Sequence, residues 1–217
     1  MRTVEDINKL IDFVKENPLN FSWLNPNTTV KESTIPNAGN GRFATHNMKT
    51  NETIAILGGL ILTEGEYQQI RKRFDFVSGV LIDKDIKLHQ INFISDNNGS
   101  LNHSCNPNAS FSGQISIKTI RSIKAGEELF IDYSTIADQD LVLFEDCQCG
   151  AENCRKYVTC KDWLSPSFRM GRDFYFSYYL SELIRDTSKL EMKKQLESLK
   201  KIDRSKSSIL SEDIVVI

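Results

Sequence analysis

Within the segment Leu101-Asn102-His103-Ser104-Cys105-Asn106-Pro107-Asn108, an imidazole, a thiol and several amides crowd into a turn-rich stretch containing a proline. Three chemistries fit such a cluster: a Cys/His nucleophile, part of a metal site, or a polar loop. A Cys–His dyad usually draws its partners from distant parts of the chain. Here His103 and Cys105 are two residues apart and no third member stands near them, so the nucleophile reading is the weakest. A second segment, Cys147-Gln148-Cys149-Gly150-Ala151-Glu152-Asn153-Cys154, adds three thiols in the spacing Cys-x-Cys-x4-Cys. With Cys105 they make four, one remote from a compact trio. Four thiolates suit a closed tetrahedral zinc site with Zn–S distances of about 2.3 Å. Disulfides are the rival, but five cysteines cannot all pair, and Met1-Arg2-Thr3-Val4-Glu5-Asp6 lacks the apolar core of a secretory leader. Cys160 lies outside the four-thiol set and reads as a small packed residue.

Other residues are ambiguous when taken singly. Gly39-x-Gly41-x-x-Ala44 matches a dinucleotide fingerprint, but that fingerprint must follow a strand and open a helix. Here Pro36 precedes it and a strand-like run follows. Two glycines around Asn40 can instead let the backbone approach a ligand closely, or simply make a turn. Without its flanking motifs, Tyr133 reads as a buried strand tyrosine, and His103 as a residue that locks its loop by hydrogen bonding.

Taken together and in order, these motifs carry a resemblance. Asn102-His103-Ser104-Cys105-x-Pro107-Asn108, then Glu128-Leu129-x-x-Asp132-Tyr133, then the Cys-x-Cys-x4-Cys cluster resemble the SET-domain protein-lysine methyltransferases that have a post-SET zinc motif. Upstream, Ala38-Gly39-Asn40-Gly41-Arg42-Phe43-Ala44 is similar to the family's Gly-x-Gly segment. Downstream, the run from Cys154 to Trp163 is similar to the tail of small stand-alone SET proteins. The resemblance spans about residues 30–163. It implies that Gly39, Asn40, Gly41, Asn102, His103 and Tyr157 bind S-adenosyl-L-methionine, and that Tyr133 is the catalytic residue. Ile131 and Phe76 are expected in the substrate pocket. Cys105, Cys147, Cys149 and Cys154 are expected to hold one structural Zn2+. The implied partner is a protein with a target lysine, either a histone tail or a non-histone protein. Two departures stand out: Ile131 where the family commonly has Phe or Tyr, and Asn98-Gly99-Ser100-Leu101 in place of Ala-Arg-Phe-Ile. They keep a non-catalytic SET-like interaction module open as the alternative.

Composition narrows the classes further. The 217 residues are 40% hydrophobic, with a net charge of −2 and a pI near 6.0. No general basic field exists, so direct nucleic-acid binding, including a zinc-ribbon reading, is not expected. No stretch approaches the roughly 20 apolar residues of a membrane span. The expectation is an intracellular protein, cytoplasmic or nuclear, with export from an intracellular bacterium as an alternative. No cysteine precedes Cys105, so the cysteine-rich module that flanks some relatives is not expected.

The elements that must position these residues follow from periodicity. Val4, Ile7, Leu10 or Ile11, and Val14 recur at helical spacing up to Asn17-Pro18, which predicts a helix over residues 3–16. Runs at 29–33, 42–46, 53–62, 76–82, 86–94 and 114–121 read as strands. Thr63-Glu64-Gly65-Glu66 has the form of a capping box for a helix over 63–73, and Lys124-Ala125-Gly126-Glu127 reads as a turn. Beyond Trp163, Phe174, Tyr178, Leu180 or Ser181, and Ile184 predict one helix. Leu190, Met192, Leu196 and Leu199 predict another, and residues 209–217 read either as a loose tail or as a docked extra strand. The expected fold is mostly β, with an N-terminal helix and C-terminal helices. The resemblance specifies it as a SET β-clip with a threaded pseudoknot, in which the segment ending at Tyr133 passes beneath the Asn102–Cys105 loop. The chain divides into an N-terminal flank (1–28), the SET domain (29–135), the post-SET zinc segment (136–163) and a helical extension (164–217).

Overall fold

The computed structural model describes residues 2–16, 22–70, 77–91, 101–172, 175–187 and 193–194. Helix α1 (Val4–Glu16) opens at Thr3, whose hydroxyl and backbone N–H both donate to Asp6 Oδ2, while Asp6 N donates back to the Thr3 hydroxyl. This reciprocal cap satisfies N–H groups that a first turn leaves unpaired. The helix buries Ile7 and Ile11 against Leu62.

Strands β1 (Trp23–Leu24), β2 (Thr28–Glu32), β3 (Asn40–Ala44), β4 (Thr53–Ile56) and β5 (Leu60–Thr63) follow. The single strand expected over 53–62 is therefore two. The ladder breaks at Leu57-Gly58-Gly59, where Leu57 N donates to Ile115 O and Gly58 N to the Ser22 hydroxyl. The break lets β4 and β5 join different sheets. Helix α2 (Glu64–Ile70) starts at the capping box: Thr63 N donates to Glu66 Oε2 over 2.8 Å and Glu66 N returns to the Thr63 hydroxyl over 3.3 Å.

Next come β6 (Val77–Asp83), β7 (Ile86–Ile91), β8 (Asn102–His103), β9 (Ala109–Ser112), β10 (Ser116–Thr119) and β11 (Phe130–Ile131). The turn before β11 forms at Lys124–Glu127, with Gly126 at φ 89° and Glu127 N bonded to Lys124 O. The chain closes with β12 (Val142–Phe144), β13 (Val158–Thr159), α3 (Pro166–Arg169) and α4 (Tyr178–Asp186). Leu190, Met192, Leu196 and Leu199 of the second predicted C-terminal helix, the tail over 209–217 and Phe174 lie outside the described residues. Among the described residues no helix is long and apolar enough to cross a membrane.

The strands form small sheets, in the orders β1-β4-β10-β9 and β5-β7-β6, with the pairs β2-β3, β8-β11 and β12-β13. The fold is mostly β, as expected. The main core runs through Ile54, Phe111, Ile117, Leu129 and Ile131, all essentially inaccessible. Along β10, Ile117 and Thr119 are buried and Ile115 just before it packs on the core, as their alternation predicts. A separate cluster of Trp163, Leu164, Phe168, Phe176 and Leu180 anchors the C-terminal helices. The pair β8-β11 matters most for the site. It is parallel, with Phe130 opposite Asn102 and Ile131 opposite His103, which is the juxtaposition a pseudoknot requires. Its flanks are stitched by Ser104 N to Ile131 O, by Asn108 Nδ2 to Glu128 O, and by Phe130 N to Asn108 Oδ1.

Candidate active site and thiol cluster

Asn102 is where the glycine-containing segment meets the Asn-His segment. Its Nδ2 lies 3.0 Å from Ser33 Oγ, 3.1 Å from Asn40 O and 3.0 Å from Glu128 Oε1. Glu128 is buried and also accepts from the Ser33 hydroxyl, Thr34 N and the Thr34 hydroxyl. The paired strands β2 and β3 present Asn40 and Gly41 at this point. Gly41 has no room for a side chain: an added β-carbon would overlap the Glu128 carboxylate. Gly39 faces open space but has φ 68°, which glycine adopts without strain. Asn40 itself is exposed.

Tyr133 lies in the next turn, at 8% exposure, and its hydroxyl donates to Leu101 O over 3.0 Å. Burial raises its phenol well above the ordinary tyrosine value, so the group stays protonated near neutral pH. The rings of His103 and Phe144 pack on it, at centroid separations of 5.4 and 6.1 Å. His103 Nδ1 accepts from Tyr133 N over 3.2 Å, which places the ring proton on Nε2, 3.4 Å from Cys105 Sγ. Burial, followed by the opposing pull of Asp132 and the push of Arg155, brings the His103 pKa down to about 4. The 3.7 Å approach of His103 to Asp132 is therefore not an ion pair near neutral pH.

Asp132 is completely buried and makes a two-pronged pair with Arg155: Nη1 to Oδ2 at 2.7 Å and Nη2 to Oδ1 at 2.8 Å. The same guanidinium donates to the Ser134 hydroxyl and to Asp162 Oδ2, and stacks 4.6 Å from the Phe168 ring.

Beside this pair lies the thiol cluster. Ligand atoms of His103, Cys105, Cys147 and Cys149 lie within 4.8 Å of one another. Cys154 packs against the group, hydrogen-bonded to the Cys149 thiol and to Cys147 O. Burial pushes the Cys105 thiol up to about 12 and raises Cys147 as well. At Cys149 burial pulls the same way but is outweighed by hydrogen bonds from Cys105 N, Ala151 N and the Cys147 and Cys154 thiols, leaving it lowered to about 7. Backbone N–H groups of Cys105 and Arg155 donate to Cys149 Sγ and Cys105 Sγ, as they would to thiolates. This soft, buried sulfur-rich donor set suits zinc. Cys154, the fourth expected ligand, stands next to this group, and His103 takes its place among the four donors within 4.8 Å of one another. Cys160 is buried elsewhere and is not in the cluster.

An open cavity of about 580 Å3 adjoins the Asp132–Arg155 pair, with Tyr157, Thr159, Asp162 and Phe168 in its wall. Of the residues expected to bind ligand, Tyr157 alone lines it; Asn40, Gly41 and Asn102 meet around Glu128 instead, while His103 lies against Tyr133 and Cys105 and the Gly39 carbonyl accepts from Ser33 N. Ile131 is fully buried in the main core beside Tyr133, and Phe76 lies outside the described residues. No ligand spacing marks Ser33 or Thr34, and Asn108, Arg155 and Asp162 stand in quoted motifs without a role. Glu128 and Asp132 were likewise quoted without a role. Their place at either end of the apolar run Leu129-Phe130-Ile131 was the available signal for both.

Residues 39–134 match the family model described as SET domain. A curated relative from Drosophila pseudoobscura pseudoobscura, named histone-lysine N-methyltransferase Su(var)3-9, is 43% identical over 77 residues, covering 27% of this chain and 12% of the relative. This chain thus spans only a small part of that relative's length. Among solved structures, a humanized mutant of the Chaetomium thermophilum Polycomb Repressive Complex 2 bound to an inhibitor aligns with a TM-score of 0.42 at 22% identity, over 52% of this chain and 16% of that one. The same fungal complex in an autoinhibited conformation bound to S-adenosylmethionine aligns with a TM-score of 0.39 at 22% identity, over 49% and 15%.

Proposed function

From the match of residues 39–134 to the SET domain family, we propose that the chain transfers methyl groups from S-adenosyl-L-methionine to a protein lysine. The reading rests on one observation above all. The Asn40-Gly41 backbone, Asn102, His103 and Tyr133 meet around the β8-β11 pair, with a four-thiol cluster against its back. The histone-lysine methyltransferase named among the relatives makes a histone tail the first substrate to try.

When bound, the methyl donor supplies an electrophilic methyl carbon on a sulfonium. The acceptor amine forms its N–C bond as the donor's S–C bond breaks, so this chain must mainly align the two and exclude water. A free lysine has a pKa near 10.4, so the amine has to shed a proton to solvent before it can attack. Tyr133 does not take that proton as a phenolate, because burial keeps its hydroxyl neutral. It acts as a fixed dipole. With its proton committed to the Leu101 carbonyl, the hydroxyl and that carbonyl offer two oxygen acceptors beside each other, enough to orient the N–H groups of a neutral amine. The Asn40 carbonyl and the Asn102 amide, fixed by Glu128, form the polar rim on which the donor's amino-acid end would be held. Cys105, Cys147, Cys149 and Cys154 would hold zinc and so brace the Asn102–Cys105 strand from behind.

The test has two parts. Calorimetric titration of the zinc-loaded chain with S-adenosyl-L-methionine should give saturable one-site binding, lost in Asn102→Ala. Labelled methyl transfer to a panel of histones and peptide arrays should collapse in Tyr133→Phe while zinc content and fold persist. A folded, zinc-bearing chain that binds no donor would sink the enzyme reading and favour a partner-binding module.

A further inference from the structure

We infer that Arg155 is a positioning residue for Tyr133 and that it couples the phenol to the thiol cluster. The inference rests on the methyltransferase reading for its kinetic arm only. Arg155 follows Cys154 directly, and its backbone N–H donates to Cys105 Sγ over 3.4 Å, so its main chain is pinned to the cluster. Its side chain then grips both sequence neighbours of Tyr133. Two N–H groups hold the Asp132 carboxylate at 2.7 and 2.8 Å, and Nη2 also donates to Ser134 Oγ over 3.1 Å. Asp132 Oδ1 in turn accepts from Ser134 N over 3.1 Å, closing the turn in which Tyr133 sits.

The plane of the guanidinium is itself fixed. Nε donates to Asp162 Oδ2 over 3.0 Å, and the Arg155 and Arg172 guanidinium groups both lie over the Phe168 ring, at 4.6 and 4.7 Å. Arg172 returns to the same cluster by donating to Cys105 O over 3.2 Å. A planar fork with several donors can hold a carboxylate and a hydroxyl at once; an ammonium can replace the charge but not the geometry. Moving the cluster should therefore move Tyr133 through Arg155, and weakening the fork should misplace the phenol without emptying the metal site.

The experiment uses the zinc-loaded chain labelled with 13Cζ-tyrosine, the Tyr133 resonance being assigned by its loss in Tyr133→Phe. In Arg155→Lys that resonance should shift or broaden. In the same protein kcat should fall roughly 10- to 100-fold, the scale of a small misplacement, with donor Kd and zinc content unchanged. Cys160→Ala, which loosens the same segment without touching Asp132, should lower Tm and leave the resonance in place. If Arg155→Lys does not fold, the pair Arg155→Gln with Asp132→Asn removes both charges and is read in the same way. In the wild type, withdrawing zinc with a chelator should move the resonance. A resonance that stays put in folded Arg155→Lys, or that stays put while zinc leaves the wild type, overturns the inference. The spectroscopic arms need no substrate, so an inactive wild type would sink the methyltransferase reading and leave this question to be decided separately.

Discussion

Asn102 Nδ2 donates to Glu128 Oε1 over 3.0 Å, and Gly41 passes the pair so closely that a β-carbon there would overlap the carboxylate and lie 3.2 Å from the amide. Gly41→Ala should therefore displace Glu128 and cost about 1–3 kcal/mol, with donor binding lost in the same titration. Gly39→Ala meets nothing in space and suffers only from its φ of 68°, about 1–2 kcal/mol. Urea denaturation with parallel calorimetry should find both variants destabilised but donor binding abolished only at Gly41.

The Asp132–Arg155 pair has one fully buried partner and one at 19% side-chain exposure. Arg155→Met strands a buried carboxylate and should cost roughly 3–5 kcal/mol. Adding Asp132→Asn removes the stranded charge and should recover much of that loss. Equal losses in the single and double variants, measured in a double-mutant cycle, would show that the pair is not coupled in this way.

Metal affinity should rise with pH. The metal-free thiols at Cys105 and Cys147 have values raised by burial, so binding must expel their protons, and acid competes for the same sulfurs. Cobalt substitution should give thiolate-to-metal absorption that disappears in Cys105→Ala and survives in Cys160→Ala. Loss of the band in both variants would contradict a set that excludes Cys160.

His89 gives a pH effect remote from the cluster. It is 2% exposed, stacks on Tyr67 at 4.3 Å, and its ring nitrogens have no hydrogen-bond partner among the described residues. Burial, then the nearby Lys87 charge, lowers it from 6.5 to about 4. Between those values the unfolded chain holds the extra proton, so stability falls as pH drops from 6.5 towards 4, by up to about 1.4 kcal/mol per pH unit from this residue. His89→Phe keeps a ring against Tyr67 and should flatten that part of the stability profile. An unchanged profile would mean that the acid sensitivity lies elsewhere.

What could be read from sequence was local. The stripe of α1 and the Thr63–Glu66 cap are written within a few residues, and both form. The cysteine spacing placed Cys147 and Cys149 beside Cys105, with Cys154 packed against them, because three of the four share one short loop. Glu128 was harder, because its partners Ser33 and Thr34 lie 95 and 94 residues away and none of the three belongs to a spacing that marks a ligand. Arg155 was hidden for a similar reason, its carboxylate lying 23 residues upstream. The strand β9 was missed because Ala109-Ser110-Phe111-Ser112 is only four residues long and half serine, and its pairing with β10 decides its conformation. Residues 53–62 looked continuous because alternation alone does not reveal a strand that changes sheets.

The two-residue parallel pair β8-β11 also bears on how the molecule assembles. Asn102 and Phe130 are far apart in sequence, and their short ladder offers too few bonds to survive before the intervening chain has folded back. Closing that loop costs entropy that only the completed contacts offset. Neither half of the site can therefore precede the other. The amides of Ser104 and Phe130 should exchange with solvent deuterium only when the whole domain opens, and a chain cut between these strands should recover its chemistry only when both fragments are present.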